Sequence, residues 1–155
     1  MEEIRFDDIE KLRTKISGEF GPWSEPVEVT QETINRFADI TGDHQWIHVD
    51  VDRAKRESPF KGPVAHGFLT LSLLPRLATG HGFKIVGQKA SINYGANKLR
   101  FAAPVPAGAK IHAHSRLVAV EKRGPGTQFT TETNIHVVGS DRPCVIYEGL
   151  SVHTG

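Results

Sequence analysis

The run Ala65-His66-Gly67-Phe68-Leu69-Thr70-Leu71-Ser72-Leu73-Leu74-Pro75-Arg76-Leu77-Ala78-Thr79-Gly80 is apolar on nearly every side through its middle. A helix that is hydrophobic all round is a buried one, so the rest of the chain has to supply a wrapper for it. Pro75 removes one backbone donor and predicts a kink in the second half. From about Lys84 onward the pattern changes to alternation. Phe129, Thr131, Thr133, Ile135 and Val137 fall on one face of residues 127–138, and Ile146, Leu150 and Val152 share a face in residues 145–153. Residues 91–101 and 110–120 read the same way less cleanly, and residues 27–29 offer one more edge. Strands with one covered side, long enough to curve, are the natural wrapper for a fully apolar helix.

Ahead of that helix the chain reads as helical and polar. Thr30 precedes Gln31 and Glu32, then Ile34, Phe37 and Ala38 recur at three- and four-residue spacing until Gly42, which predicts a capped amphipathic helix with a glycine stop. Asp50 caps a second short helix over residues 51–57, which ends before Pro59 because proline disfavours a helical residue ahead of it. Residues 42–49, between the two, read as a loop. Helices early, strands late and no strand-helix alternation point to an α+β fold with an antiparallel sheet. The Pro/Gly-rich pieces at residues 104–108 and 123–126 are turn-sized, so 155 residues are read as one domain spanning 1–155.

Bulk charge gives little direction. Lys and Arg number 19 against 18 Asp and Glu, a formal charge of +1, which offers no general attraction to nucleic acid or a lipid surface. No stretch approaches the roughly 20 apolar residues of a membrane span. Residues 1–9 are acidic and amphipathic, unlike a secretory signal. Cys144 is the only cysteine, which rules out an internal disulfide and fits a reducing compartment. A cytoplasmic protein is the simplest expectation.

The densest polar cluster is Thr41-Gly42-Asp43-His44-Gln45-Trp46-Ile47-His48-Val49-Asp50. A carboxylate beside an imidazole moves protons to and from water near neutral pH, and a loop can turn Asp43 and His48 toward one point. Spacing alone leaves open a turn role for Asp43 and a surface or core role for His48. His66-Gly67 opens the apolar helix, where unpaired backbone N–H groups favour developing negative charge and glycine admits a close approach. Close packing of the buried helix explains Gly67 equally well. A metal site is not expected. His44 and His48 are four apart without the His-Glu-x-x-His pattern, and His112 with His114 reads as one solvated or partner-facing strand face. No Gly-x-Ser-x-Gly elbow exists, and Cys144 follows Pro143 with no base nearby in sequence. Lys98 with Arg100, and Lys122 with Arg123, are placed by turns or strand ends. They suit either phosphate contact or a solvated edge.

Two longer stretches resemble a known family. One is Phe37-Ala38-Asp39-Ile40-Thr41-Gly42-Asp43-His44-Gln45-Trp46-Ile47-His48-Val49-Asp50, followed by Phe60 and by Pro63-Val64-Ala65-His66-Gly67-Phe68-Leu69. The other is Ile92-Asn93-Tyr94-Gly95-Ala96-Asn97-Lys98-Leu99-Arg100-Phe101 with Pro104-Val105. Together they resemble the MaoC-like, (R)-specific enoyl-CoA hydratases, and within them the subgroup related to nodulation protein N. The likeness covers most of residues 31–105 and weakens after that. It implies a hot-dog fold, a homodimer with sheets joined edge to edge, and a cofactor-independent hydro-lyase acting on an enoyl thioester of CoA or acyl carrier protein. It further implies that Asp43 and His48 activate one water for syn addition and that the Gly67 N–H polarises the thioester carbonyl. His66, Trp46, Asn93, Lys98 and Arg100 are then expected to contact substrate. Gln45-Trp46 stands where the wider family commonly has Asn-Pro. A hot-dog thioesterase or a non-catalytic acyl-thioester-binding subunit would share the fold.

Overall fold

The computed structural model describes residues 1–78 and 80–155. In chain order its elements are β1 (Glu2–Arg5), α1 (Ile9–Arg13), β2 (Val27–Glu28), α2 (Gln31–Thr41), α3 (Trp46–Val49), α4 (Val51–Glu57), α5 (Gly67–Ser72), a 3-10 turn (Leu74–Leu77), β3 (Phe83–Val86), β4 (Ala90–Phe101), β5 (Lys110–Arg123), β6 (Gly126–Val137) and β7 (Pro143–Thr154). The main sheet is antiparallel in the order β2-β5-β6-β7-β4, and β1 pairs with β3 in parallel. The sheet curls around α5, as the apolar run requires. No helix among the described residues is long and apolar enough to cross a membrane.

Local chemistry sets the helix ends. The Thr30 side chain accepts from the Thr33 N–H at the start of α2, and Gly42 closes the helix with a left-handed φ of 80°. Asp50 does the same for α4 by accepting from the Arg53 N–H. Both boundaries are the ones expected from sequence. Residues 42–49 are not loop throughout: their second half forms α3, packed against α2 and tied to it where Gln31 donates through Nε2 to the His48 carbonyl at 2.8 Å.

The central helix is much shorter than the apolar run. Regular α-helix stops at Ser72, Leu73 closes it, and the chain continues as a 3-10 turn carrying Pro75 at its start. The missing proline N–H ends the helix outright instead of kinking it. Thr79, in the expected second half, lies outside the described residues. Nor is α5 buried on every side: Leu69 and Thr70 are, whereas Phe68 is 63% exposed and meets Phe101 edge to face at 5.2 Å.

Register decides which strand faces point inward. Opposed residues of an antiparallel pair share a face, and Ile135, Thr133 and Thr131 stand opposite Val145, Tyr147 and Gly149. The inner face of β7 is therefore the odd-numbered one, so the Ile146, Leu150 and Val152 face expected to be covered is the outer face. Tyr147 lies across Gly149, where any side chain would collide with its ring. That inner face is aromatic-plus-glycine, a pattern that aliphatic alternation does not reveal. On β5 a bulge between Leu117 and Ala119 resets the alternation, so that Leu117 and Val120 both point inward.

Two hydrophobic clusters result. One gathers Ile34, Ala65, Leu69, Ile111, Ile135 and Val145 under α5 and α2. The other joins Ile4, Leu12, Phe83, Leu117, Val120 and Phe129 beneath α1 and β1. Residues 17–24 run along the edge of β5, where Ser17, Gly21 and Ser24 donate to the Leu117, Ser115 and Ala113 carbonyls, and the half-buried His112 and His114 stack under Trp23 at 4.0 and 3.8 Å. Burial, and then the neighbouring His136, hold both imidazoles below the usual histidine range.

Candidate active site

The junction of α2 and α3 and the entry to α5 meet at one place. Val64 is pinned from two sides: its N–H donates to the Ile47 carbonyl at 3.0 Å, and it bridges to Pro106. The next residue is pinned as well, since the Ala65 N–H donates to the Val105 carbonyl at 2.8 Å. These backbone bonds hold residues 43–48 against the start of α5, although the two segments are distant in sequence.

His48 is 8% exposed, and its Nδ1 lies 2.6 Å from the Val64 carbonyl. A carbonyl only accepts, so Nδ1 carries the hydrogen and Nε2 keeps its lone pair. Burial is the main cause holding His48 below the usual histidine range. A charged His66 pushes the same way, while the Val64 carbonyl and Asp43 oppose it. The ring is therefore neutral near pH 7 and is built to accept a proton at Nε2. Asp43 is exposed, with its Oδ1 accepting from the Gln45 N–H at 3.3 Å. Its carboxylate and ring nitrogens of His48 and His66 all come within 4.8 Å of one another.

That donor set is one a divalent metal takes, but its geometry suits water better. The His48 and His66 rings stack at 3.9 Å with planes 25° apart. Stacked imidazoles aim their in-plane lone pairs side by side instead of converging on a tetrahedral centre. A water needs only approximate hydrogen-bond directions, and atoms spaced this closely can share one.

Gly67 is the first residue of α5, and its N–H belongs to the helix end, which has no carbonyl of its own to bond. A Cβ at this position would sit 2.8 Å from the Phe101 ring. Close packing is thus a real reason for glycine here, and it keeps the N–H reachable too. Beside Gly67 and His48 opens a cavity of about 350 Å³, walled by Phe60, Phe101, Thr70, Cys144 and Val145 among others. It is an apolar slot with an imidazole and a backbone donor on its walls. Cys144 is no nucleophile: its Sγ donates to the Ile135 carbonyl at 3.2 Å, and burial pushes the thiol up to about 11.

The structure thus gathers Asp43, His48 and His66 and sets His48 beside Gly67 on the cavity wall, while Asp43, His66 and the other expected contacts lie off that wall. Trp46 heads α3 with the Arg53 guanidinium over its ring at 4.3 Å. Asn93 borders a different depression, shared with Tyr147 and Leu71. Lys98 and Arg100 are both exposed on β4, Arg100 next to its last residue, as expected of a strand end, and Lys98 within it. What the sequence reading missed are the slot walls, Thr70, Ala103, Cys144 and Val145, which come from α5, a turn and β7. Their only signal is small or apolar character, shared with every core residue. Gln31 was missed as well, though a glutamine opening a helix is a legible polar position.

Known proteins resemble this chain in sequence and fold. Residues 19–139 match the family described as MaoC like domain. The chain is 50% identical over 135 residues to 3-hydroxyacyl-thioester dehydratase Z of Mycobacterium tuberculosis, covering 86% of this chain and 88% of that one. It is 45% identical over 153 residues to nodulation protein N of Rhizobium meliloti, covering 98% and 92% respectively. The solved (R)-hydratase from A. caviae involved in PHA biosynthesis superposes with a TM-score of 0.68 at 26% identity, over 87% of this chain and 96% of that one. A curled antiparallel sheet around a short helix, a match over most of the chain and relatives this similar make the protein a hot-dog-fold member of the MaoC-like dehydratase family, hydro-lyases by reaction class.

Proposed function

We propose that this chain is an (R)-specific enoyl-CoA hydratase/dehydratase, interconverting a trans-2-enoyl thioester and its 3-hydroxyacyl form. The observation that carries this reading is that His48, with the Asp43 carboxylate within 4.8 Å of a ring nitrogen, shares the wall of an apolar slot with Gly67. The acyl chain lies in the slot, and the Gly67 N–H takes up charge from the thioester carbonyl, which makes C3 electrophilic. One water, held by the Asp43 carboxylate and the His48 Nε2 lone pair, gives its oxygen to C3 and one proton to the pair. A proton then passes from the pair to C2 on the same face, so atoms balance and addition is syn. No cofactor enters this scheme. The names of the dehydratase relative and the A. caviae hydratase agree with it.

The same reading takes residues 1–155 as one domain, in a cytoplasmic homodimer. The dimer is supported by β4, an edge strand that leaves Ile92, Tyr94 and Phe101 exposed along an unpaired border. The test is loss of enoyl absorbance when the protein meets crotonyl-CoA and longer trans-2-enoyl-CoAs, with Asp43→Asn as control. Turnover that depends on Asp43 supports the hydratase. Tight binding without turnover makes the chain an acyl-thioester-binding subunit, and release of free thiol makes it a thioesterase.

A further inference from the structure

The water-holding pair and Gly67 leave His66 without a task in the reaction. Its ring is 4% exposed and does not wall the slot. At the residue capping a helix N-terminus, a polar side chain ordinarily accepts from the helix's own N–H groups. The His66 imidazole makes no such bond and turns the other way. Its Nε2 lies 2.9 Å from the Asp43 carbonyl, and because that oxygen only accepts, Nε2 is the protonated nitrogen. One face of the ring stacks on His48 at 3.9 Å, and Phe37 tilts against it at 5.0 Å. The His66 carbonyl accepts from the Thr70 N–H in the first turn of α5. A single residue therefore touches both members of the pair and is bonded covalently to Gly67.

The other nitrogen adds an independent observation. In the Nε2–H tautomer, Nδ1 carries a lone pair, and that atom is buried with no hydrogen-bond partner among the described residues. Unpaired buried acceptors are uncommon and need a reason beyond packing, since phenylalanine fills the same volume without one. We infer, resting on the hydratase reading, that His66 is a positioning residue whose N–H and ring face fix Asp43 and His48 relative to the Gly67 donor. It is not a substrate contact, as the family likeness had implied. Holding these groups in register matters because a misplacement of about 1 Å costs about 100-fold in rate. His66 also opposes protonation of His48, through like charge when both are charged.

Two variants separate positioning from packing. His66→Phe keeps the ring volume and stack but loses the N–H, whereas His66→Gln keeps an amide donor and loses the stack. For crotonyl-CoA, His66→Phe is expected to lower kcat about 100-fold with KM changed less than about 2-fold, and His66→Gln to recover part of that loss. Melting temperatures should not follow this order. In NMR titrations of His48, His66→Phe moves protonation to higher pH, because the like-charged neighbour is gone while burial, the Val64 carbonyl and Asp43 remain. The acid limb of the kcat profile moves with it. An unchanged His48 titration, retention of kcat within about 2-fold in His66→Phe, or kcat losses that track Tm across the variants would overturn the inference. Failure of the wild-type protein to hydrate any enoyl thioester counts against the hydratase reading alone, and the His48 titration still decides the role of His66.

Discussion

The two hydrophobic clusters are built on opposite terms. The cluster of Ile4, Leu12, Phe83, Leu117, Val120 and Phe129 closes the sheet beneath α1 around two phenylalanine rings, with the His153 ring packed on Phe129 at 4.5 Å. The cluster under α5 and α2 is larger and aliphatic apart from Cys144, and it borders a cavity of about 350 Å³, the paired imidazoles of His48 and His66, and a helix end opened by glycine. Dense packing is the default in protein interiors, so a void beside buried polar groups marks where stability has been exchanged for a place to bind. One cluster keeps the fold together and the other uses it.

The largest expected break in this comparison comes from Asp43→Asn. Removing an exposed carboxylate should leave Tm nearly unchanged while hydration of crotonyl-CoA falls about 1,000-fold, the middle of the range for general acid-base catalysis. Parallel loss of Tm and activity would make Asp43 a structural residue. Leu12→Ala tests the other side. A fully buried leucine truncated to alanine costs about 2–5 kcal/mol, read by denaturant unfolding, with kcat per folded molecule unchanged. If kcat falls instead, the two clusters are coupled and the division fails. Gly67→Ala sits on the boundary. Its Cβ collides with the Phe101 ring, so the expected result is a loss of about 1–3 kcal/mol with a kcat decrease of about 10-fold.

The smallest effect concerns pH. Burial holds His48 below the usual histidine value of 6.5, and the neutral ring is the proton acceptor. Activity should therefore persist below pH 6.5 and fall only as pH drops through the lowered value, seen in the acid limb of a kcat profile. Stability follows the same sign. The unfolded chain takes up the proton first, so His48 contributes stability that is present above the unfolded value and is lost as pH falls toward the folded one. An acid limb lying above pH 6.5 would assign it to another group.

Much of the architecture was legible because local chemistry and periodicity speak directly. Thr30, Gly42 and Asp50 set helix ends by backbone satisfaction, and the β6 alternation of Phe129 to Ile135 marks its inner face in any context. The facing of β7 was not legible. Its inner side depends on Tyr147 lying over Gly149, a contact invisible in a hydropathy pattern. The apolar run around Pro75 gave the central helix but not its length, which rests on where the next turn finds hydrogen bonds.

The same division runs through the site. Sequence by itself determined the α+β class, the residue types able to move protons, and, through a long family-like stretch, that Asp43, His48 and Gly67 belong together. It did so because caps, breakers and alternation act over a few residues. Only the tertiary structure decided that His48 presents Nε2, that His66 stacks on it and reaches the Asp43 carbonyl, and that Trp46, Asn93, Lys98 and Arg100 stay off the slot wall. Each of those depends on segments far apart in the chain arriving within hydrogen-bond reach, and no local pattern encodes a distance across a fold.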